Sequence, residues 1–329
     1  MVPFTYDAVQ SEQEARSAAA AGARFLAGGT TLVDLMREEV ERPESLIDIN
    51  QLPLRDIQME SGGLIIGALA RMAEVAAHPL VTREQPLIAE ALLEGASPQL
   101  RNMASIGGNL MQRVRCPYFR TLDAACNKRQ PGSGCAAIEG LNNTHAILGA
   151  SEHCVATHPS DLAVALVALD AVLRVRRDAG LREFPVEDLY RLPGDTPHIE
   201  HMIEPGELIV EVVVPRGAYA RRARYVKVRD RASYEFALVS VAAALEIDDE
   251  QIRSVRLAAG GVGTKPWRLR ASEAAIMGER AGRKAWELAA SRAIEGARPL
   301  SGNGYKVELL RRTVIRALEL SAEIAGETR

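Results

Sequence analysis

Four cysteines occur in this 329-residue chain, and all of them fall between Cys116 and Cys154. Thiols used for ordinary packing would be scattered, whereas a metal ion or cluster needs soft thiolates converging from one folded loop. Pro131, Gly132 and Gly134 crowd the middle of the segment, so it reads as a wrapped loop. Arg113, Arg115, Arg120, Lys128 and Arg129 lie beside the sulfurs in sequence. Such neighbours are expected to lower thiol pKa values and to offset the charge of an anionic centre.

Spacing is less decisive than clustering. Nine residues separate Cys116 from Cys126, eight separate Cys126 from Cys135, and eighteen separate Cys135 from Cys154. Neither the C-x2-4-C pairs of structural zinc nor the C-x2-C-x2-C run of bacterial ferredoxins is present. A metal or iron–sulfur site, two disulfides and free thiols all stay open, with clustering favouring the first. Disulfides are disfavoured because the start, Met1-Val2-Pro3-Phe4-Thr5-Tyr6-Asp7, has no basic n-region and no apolar h-region to direct export.

A chain of this length suggests two domains with ample cores. The formal net charge of -3 argues against a dedicated nucleic-acid binder. No apolar run approaches the ~18 residues of a membrane span; that from Leu162 to Leu169 stops at Asp170. Aromatics make up only 4% of the chain, so the cores must be built from Ala, Leu, Val and Ile.

Strand and helix signals alternate in the first half: strands at 23–27, 46–49 and 63–67, helices at 31–41, 71–77 and 86–93. Ser160 is a good N-cap for a helix carrying Leu162, Val164 and Leu166, with a strand at 171–175 beyond it. Past Pro215-Arg216-Gly217 the texture changes. Three long strands (223–228, 236–247, 252–259) read as a meander, and helices follow at 271–277, 284–296 and 305–324. Strands followed by helices suggest an α+β layer, with a boundary near residue 220.

Ala27-Gly28-Gly29-Thr30-Thr31-Leu32 lies between a strand and a helix start. Glycines there let backbone approach a phosphate, and N–H groups and Thr hydroxyls supply donors. A tight strand–helix turn explains the same residues. Ser105-Ile106-Gly107-Gly108-Asn109 offers the same chemistry again, and two such segments point to a diphosphate cofactor. The near match to a Rossmann fingerprint, Gly132-Ser133-Gly134-Cys135-Ala136-Ala137, follows no strand. Gly260-Gly261-Val262-Gly263 reads as a packing turn, and no P-loop or G-x-S-x-G elbow exists. His153 and His158 suit a surface or supporting role better than ligation.

Together these segments resemble the FAD-binding subunit of the molybdenum hydroxylase (xanthine oxidase) family over nearly the whole chain. Ala27-Gly28-Gly29-Thr30, Ser105-Ile106-Gly107-Gly108-Asn109, Pro159-Ser160-Asp161-Leu162 and Tyr225-Val226-Lys227 carry the likeness. Arg115-Cys116-Pro117, Cys126-Asn127-Lys128-Arg129, Pro131-Gly132-Ser133-Gly134-Cys135 and His158-Pro159-Ser160-Asp161 look closest to the bacterial periplasmic aldehyde oxidoreductase branch. That branch, like 4-hydroxybenzoyl-CoA reductase, adds a [4Fe-4S] cluster to its flavin subunit.

The resemblance implies an α+β architecture. A two-part FAD-binding domain of the vanillyl-alcohol-oxidase type would span residues 1–219, with the cluster loop at 112–156. A C-terminal domain of the carbon monoxide dehydrogenase flavoprotein type would span 220–329. By resemblance, Arg24, Phe25, Leu26, Ala27, Gly28, Gly29, Thr30, Thr31 and Leu32, with Ser105, Gly108 and Asn109, would hold the FAD diphosphate. Asp161 would bind a ribose or ribityl hydroxyl, Lys227 would contact the flavin side, and Cys116, Cys126, Cys135 and Cys154 would bind the [4Fe-4S] cluster.

The implied role is electron transfer, with no catalytic residue on this chain. A molybdopterin-binding large subunit would oxidise an aldehyde, and a [2Fe-2S] small subunit would complete a heterotrimer. The implied location is the periplasm, reached as cargo of a signal-bearing partner, with the cytoplasm as the alternative. Rival readings are a self-contained FAD oxidase, a zinc-stapled scaffold subunit, and the flavin subunit of a 4-hydroxybenzoyl-CoA reductase-like enzyme.

Overall fold

A computed structural model describes residues 1–324. The chain opens with a parallel sheet of β1 (Thr5–Ala8), β2 (Arg24–Leu26) and β3 (Ser45–Asp48), in the order β1-β3-β2. Parallel neighbours require crossovers, which the helices Glu12–Ala20 and Leu32–Arg37 supply. The first of these starts on Ser11, whose hydroxyl accepts the Glu14 N–H at 3.2 Å.

A five-stranded antiparallel sheet follows, built from β4 (Ile57–Glu60), β5 (Gly63–Gly67), β6 (Val172–Arg177), β7 (Gly180–Pro185) and β8 (Leu208–Pro215). Its order is β4-β5-β8-β6-β7, so β8 fills the central place between strands more than a hundred residues apart. Leu64, Ile66, Val212 and Val214 from this sheet share a core with Val75, Leu92 and Leu166 from the helices Met72–Ala77, Pro86–Glu94 and Asp161–Ala168. Every residue of Asp161–Ala168 is buried, because the helix also packs on the next sheet.

That sheet is a meander of β9 (Arg222–Val228), β10 (Val239–Asp248), β11 (Gln251–Gly260) and the short β12 (Trp267–Arg268). Helices Arg270–Ile276, Arg283–Ala293 and Tyr305–Glu323 pack beside it. Val241, Leu245, Leu257, Trp286, Leu310 and Leu318 make up their common core. The expected three strands followed by helices are therefore present.

Several local expectations need correction. The helix expected at 31–41 is only Leu32–Arg37, and Glu39 sits at φ 59°, a conformation that no helix can continue through. The strand expected from residue 236 begins at Val239, with Leu238 making only a closing bond from its N–H to Val228 O at 2.9 Å. β8, β1, β4, β7 and the first helix escaped the sequence reading. The second glycine segment is a short helix, Ile106–Leu110, capped by Ser105, whose hydroxyl accepts the Gly108 N–H at 3.2 Å.

Candidate functional site

A cavity of about 920 Å³ opens where the parallel sheet, the five-stranded sheet and the loop after β9 meet. It lies at the roomy end of the ~300–1,000 Å³ typical of ligand sites, enough for an elongated dinucleotide. Every cofactor-contacting residue expected from the sequence lines it: Arg24 to Leu32, Ser105, Gly108, Asn109, Asp161 and Lys227. Segments far apart in sequence thus share one wall.

The two glycine segments do different work. Gly29 sits at φ 72° ahead of the helix Leu32–Arg37. Among the described residues, the backbone N–H groups of Gly29, Thr30 and Thr31 have no acceptor in the protein. Successive free N–H groups around a left-handed residue form an anion-binding concavity. In the second segment the donors are already used. Ile106 N–H reaches Ala70 O at 3.0 Å, Gly107 N–H reaches Ala68 O at 2.8 Å, and Gly108 N–H reaches Ser105 Oγ. This segment contributes shape and the Asn109 side chain, whose Oδ1 accepts the Ser160 hydroxyl.

Gly28 joins the two. A Cβ there would clash with the Met103 carbonyl oxygen, so only glycine lets the first turn lie against the residues leading into the second segment. Arg71 locks the junction by donating to Met103 O and, at 2.8 Å, to Asn50 Oδ1, while Asn50 Nδ2 donates to Ala27 O at 2.8 Å.

Asp161 and Lys227 meet at one end of the cavity. Lys227 Nζ lies 2.8 Å from Asp161 Oδ2 and also donates to Glu94 O at 2.9 Å. Tyr225 donates its hydroxyl to Asp161 Oδ1 at 2.7 Å, and burial followed by the Asp161 charge raises its pKa well above the ordinary value. A carboxylate offers about four acceptor sites and an ammonium three donors. Asp161 therefore keeps capacity for a hydroxyl, and Lys227 keeps one N–H.

The sequence reading missed a further part of the lining, residues 198–201 and 203–209, together with Arg231, Tyr234 and Phe236. Arg115 bridges these parts: its Nη2 donates to Thr31 Oγ1 at 3.1 Å, and its guanidinium stacks over the Phe236 ring at 5.2 Å. Arg115 also immediately precedes the first cysteine.

In the cysteine loop all four thiols are free. Cys126 and Cys154 are buried in one apolar cluster with Leu35, Val114 and Phe119, and Cys116 packs against it. Backbone bridging pairs Cys126 with Cys135. Arg129 organises the loop by donating to the carbonyls of Tyr118 (2.8 Å), Phe119 (2.8 Å), Leu122 (3.0 Å) and Ala124.

The expectation that basic neighbours lower the thiol pKa values is corrected at Cys116. Burial pushes that thiol up to about 12, opposed only by the backbone N–H groups of Phe119 and Tyr118. Arg113 and Arg120 face carboxylates instead. Arg113 pairs with Glu41 and with Glu200 (2.6 Å), and Arg120 with Asp34 and with Glu38 (2.9 Å). At Cys154 burial again raises the thiol, with Lys128 as the opposing charge.

Among the described residues no three His, Cys, Asp or Glu side chains converge tightly enough to hold a single metal ion. A single zinc draws its thiolates to about 2.3 Å from one point. A cubane of four irons spreads its ligands more widely, and four soft sulfurs of one loop, two buried and two half-buried, with backbone N–H donors aimed at Cys116 and Cys154, are a fitting donor set for one.

With this geometry in view, the comparisons define the class of protein. Residues 3–217 match the family model "FAD binding domain in molybdopterin dehydrogenase", and residues 224–321 match "CO dehydrogenase flavoprotein C-terminal domain". The chain belongs to the FAD-binding medium subunits of the molybdenum hydroxylase family, and it is an oxidoreductase subunit. It is 47% identical to the aldehyde oxidoreductase FAD-binding subunit PaoB of Escherichia coli (strain K12), covering 97% of this chain and 98% of that one. The carbon monoxide dehydrogenase medium chain of Hydrogenophaga pseudoflava is 27% identical, covering 97% of each. A solved carbon monoxide dehydrogenase from Hydrogenophaga pseudoflava, lacking the Mo-pyranopterin moiety of its cofactor, superposes with TM-score 0.77 at 26% identity, covering 99% of this chain and 100% of that one. The two-part architecture expected from the sequence is the one these proteins share.

Proposed function

We propose that this chain is the electron-transfer flavoprotein subunit of a heterotrimeric molybdenum-dependent aldehyde oxidoreductase. On this reading it carries FAD in the large cavity and a [4Fe-4S] cluster on Cys116, Cys126, Cys135 and Cys154. The carrying observation is the 47% identity, over nearly the full length, to an aldehyde oxidoreductase FAD-binding subunit. The four free thiols gathered in one loop support the cluster.

FAD held there would supply the redox chemistry, as the relay for electrons between a partner [2Fe-2S] subunit and an external acceptor. The chain's own residues bind, orient and shield it. The free N–H groups of Gly29, Thr30 and Thr31 receive the diphosphate, while Ser105, Gly108 and Asn109 shape its second side. Asp161 accepts a ribose or ribityl hydroxyl, and Lys227 holds that carboxylate in place. A molybdopterin-bearing large subunit performs the aldehyde oxidation, and the assembled complex travels to the periplasm as cargo of a signal-bearing partner. Among the described residues no helix is long and apolar enough to cross a membrane.

The test is purification of the chain alone and with its partner subunits, followed by visible spectra and assay of iron, zinc and flavin. Isolated, FAD-loaded protein should be reduced by dithionite yet inert toward aldehydes, with turnover appearing on reconstitution. Sustained aldehyde turnover by the single chain would overturn the subunit reading. Stoichiometric zinc from an iron-replete preparation would overturn the cluster.

A further inference from the structure

His145 lies within the cysteine loop, between Cys135 and Cys154, and has no role in the site described so far. Its ring is buried, with Nε2 3.2 Å from Cys116 Sγ and with Nδ1 lacking any partner among the described residues. The backbone around it is fixed. Its N–H donates to Asn142 O at 3.1 Å, and its carbonyl accepts from Asn303 Nδ2 and Lys306 Nζ, each at 3.1 Å. Lys306 and Asn303 are themselves fully buried, and Lys306 also grips Thr144 O and Gly261 O, both at 2.7 Å. The imidazole is therefore held from both termini of its own residue.

A neutral imidazole carries one proton, on one of its two nitrogens. If Nδ1 holds it, a buried N–H has no acceptor and the Nε2 lone pair faces the sulfur. If Nε2 holds it, the proton points at the sulfur and only a lone pair is left unpaired, which is the cheaper defect. The contact with a Cys116 thiolate is thus an N–H···S hydrogen bond.

We propose that His145 is a positioning residue that donates its Nε2–H to the Cys116 thiolate and raises the reduction potential of the iron–sulfur centre that thiolate helps to hold. This rests on the reading that the four cysteines carry a cluster. Reduction adds one electron to the centre and forms or breaks no bond in the ring, and the proton stays on Nε2. The added negative charge is shared by the cysteine sulfurs, so a donor aimed at one of them stabilises the reduced form more than the oxidised form. A buried ring does this in a medium of low dielectric constant, where the effect is largest.

The experiment is a dithionite redox titration of the intact complex, followed by electron paramagnetic resonance, for the native protein, His145→Leu and His145→Gln. Leucine removes the donor, and glutamine carries an N–H near the position of Nε2. The expected result is a lower cluster potential in His145→Leu at unchanged iron content and unchanged flavin potential, moving back toward native in His145→Gln. An unchanged cluster potential in an iron-replete His145→Leu protein would overturn the proposal. So would loss of iron from both variants with flavin retained, which would make His145 a ligand or a structural prop. Absence of iron in the native complex would fail the cluster reading itself, and this inference with it.

Discussion

The Lys227 ammonium lies 2.8 Å from the Asp161 carboxylate with its side chain only 1% exposed, tying the start of a buried helix to the meander sheet across the wall of the large cavity. An ion pair so placed is costly to break on one side, because the survivor is left as a lone buried charge. Lys227→Met should destabilise the protein by about 3–5 kcal/mol. Asp161→Asn with Lys227→Met should recover part of that loss, as read by urea denaturation, and flavin content should fall in both.

Gly28 and Gly29 should differ in their tolerance of alanine. At Gly28 the new Cβ meets the Met103 carbonyl and forces the first glycine turn away from the residues that lead into the second. At Gly29 the nearest atom is the Val33 Cγ2 methyl at 3.2 Å, so the main penalty is the φ of 72°, about 1–2 kcal/mol for a non-glycine residue. Gly28→Ala should lose most of its flavin and Gly29→Ala only part, measured by absorbance of the purified proteins. Equal flavin content in the two would show that the junction does not depend on that close approach.

Arg129 satisfies four carbonyls of the cysteine loop through two nitrogens. Arg129→Met leaves these acceptors without their donor, and iron content should drop while flavin is largely kept. The same pattern is expected for serine at any one of Cys116, Cys126, Cys135 or Cys154. Parallel loss of flavin and iron would instead indicate general unfolding.

Acid should weaken the fold well above the pH at which ordinary carboxylates protonate. Burial pushes His201 down to about 4 and His158 down to about 3, from 6.5 for a free imidazole. In the folded protein both stay neutral where the unfolded chain takes up a proton, so stability is present above pH 6.5 and is lost progressively as pH falls toward those values. Denaturation midpoints at pH 7.5, 6 and 5 should decline in order, and His158→Gln should flatten the slope. A midpoint independent of pH over that range would contradict the neutral state of these two rings in the folded protein.

Sequence by itself determined what depends on neighbours along the chain. The clustered cysteines, the glycine turn before a helix, the Ser160 cap with its 3.0 Å bond to Ala163 N–H, and the meander with its trailing helices are local patterns of spacing and residue type. The family resemblance followed from such short segments. Tertiary structure decided everything set by contacts between distant residues. Arg113 looks like a partner for a thiolate until Glu41 and Glu200 arrive beside it from 72 and 87 residues away. The second glycine segment looks like another phosphate loop until the carbonyls of Ala68 and Ala70 and the Ser105 hydroxyl consume its N–H groups. Gly28 serves the joint between the two glycine segments rather than the cavity alone, and β8 reached the centre of its sheet through pairing with β5 and β6. A hydrogen bond or ion pair is allotted to whichever partner folding brings within about 3 Å, and no local pattern encodes which partner that will be.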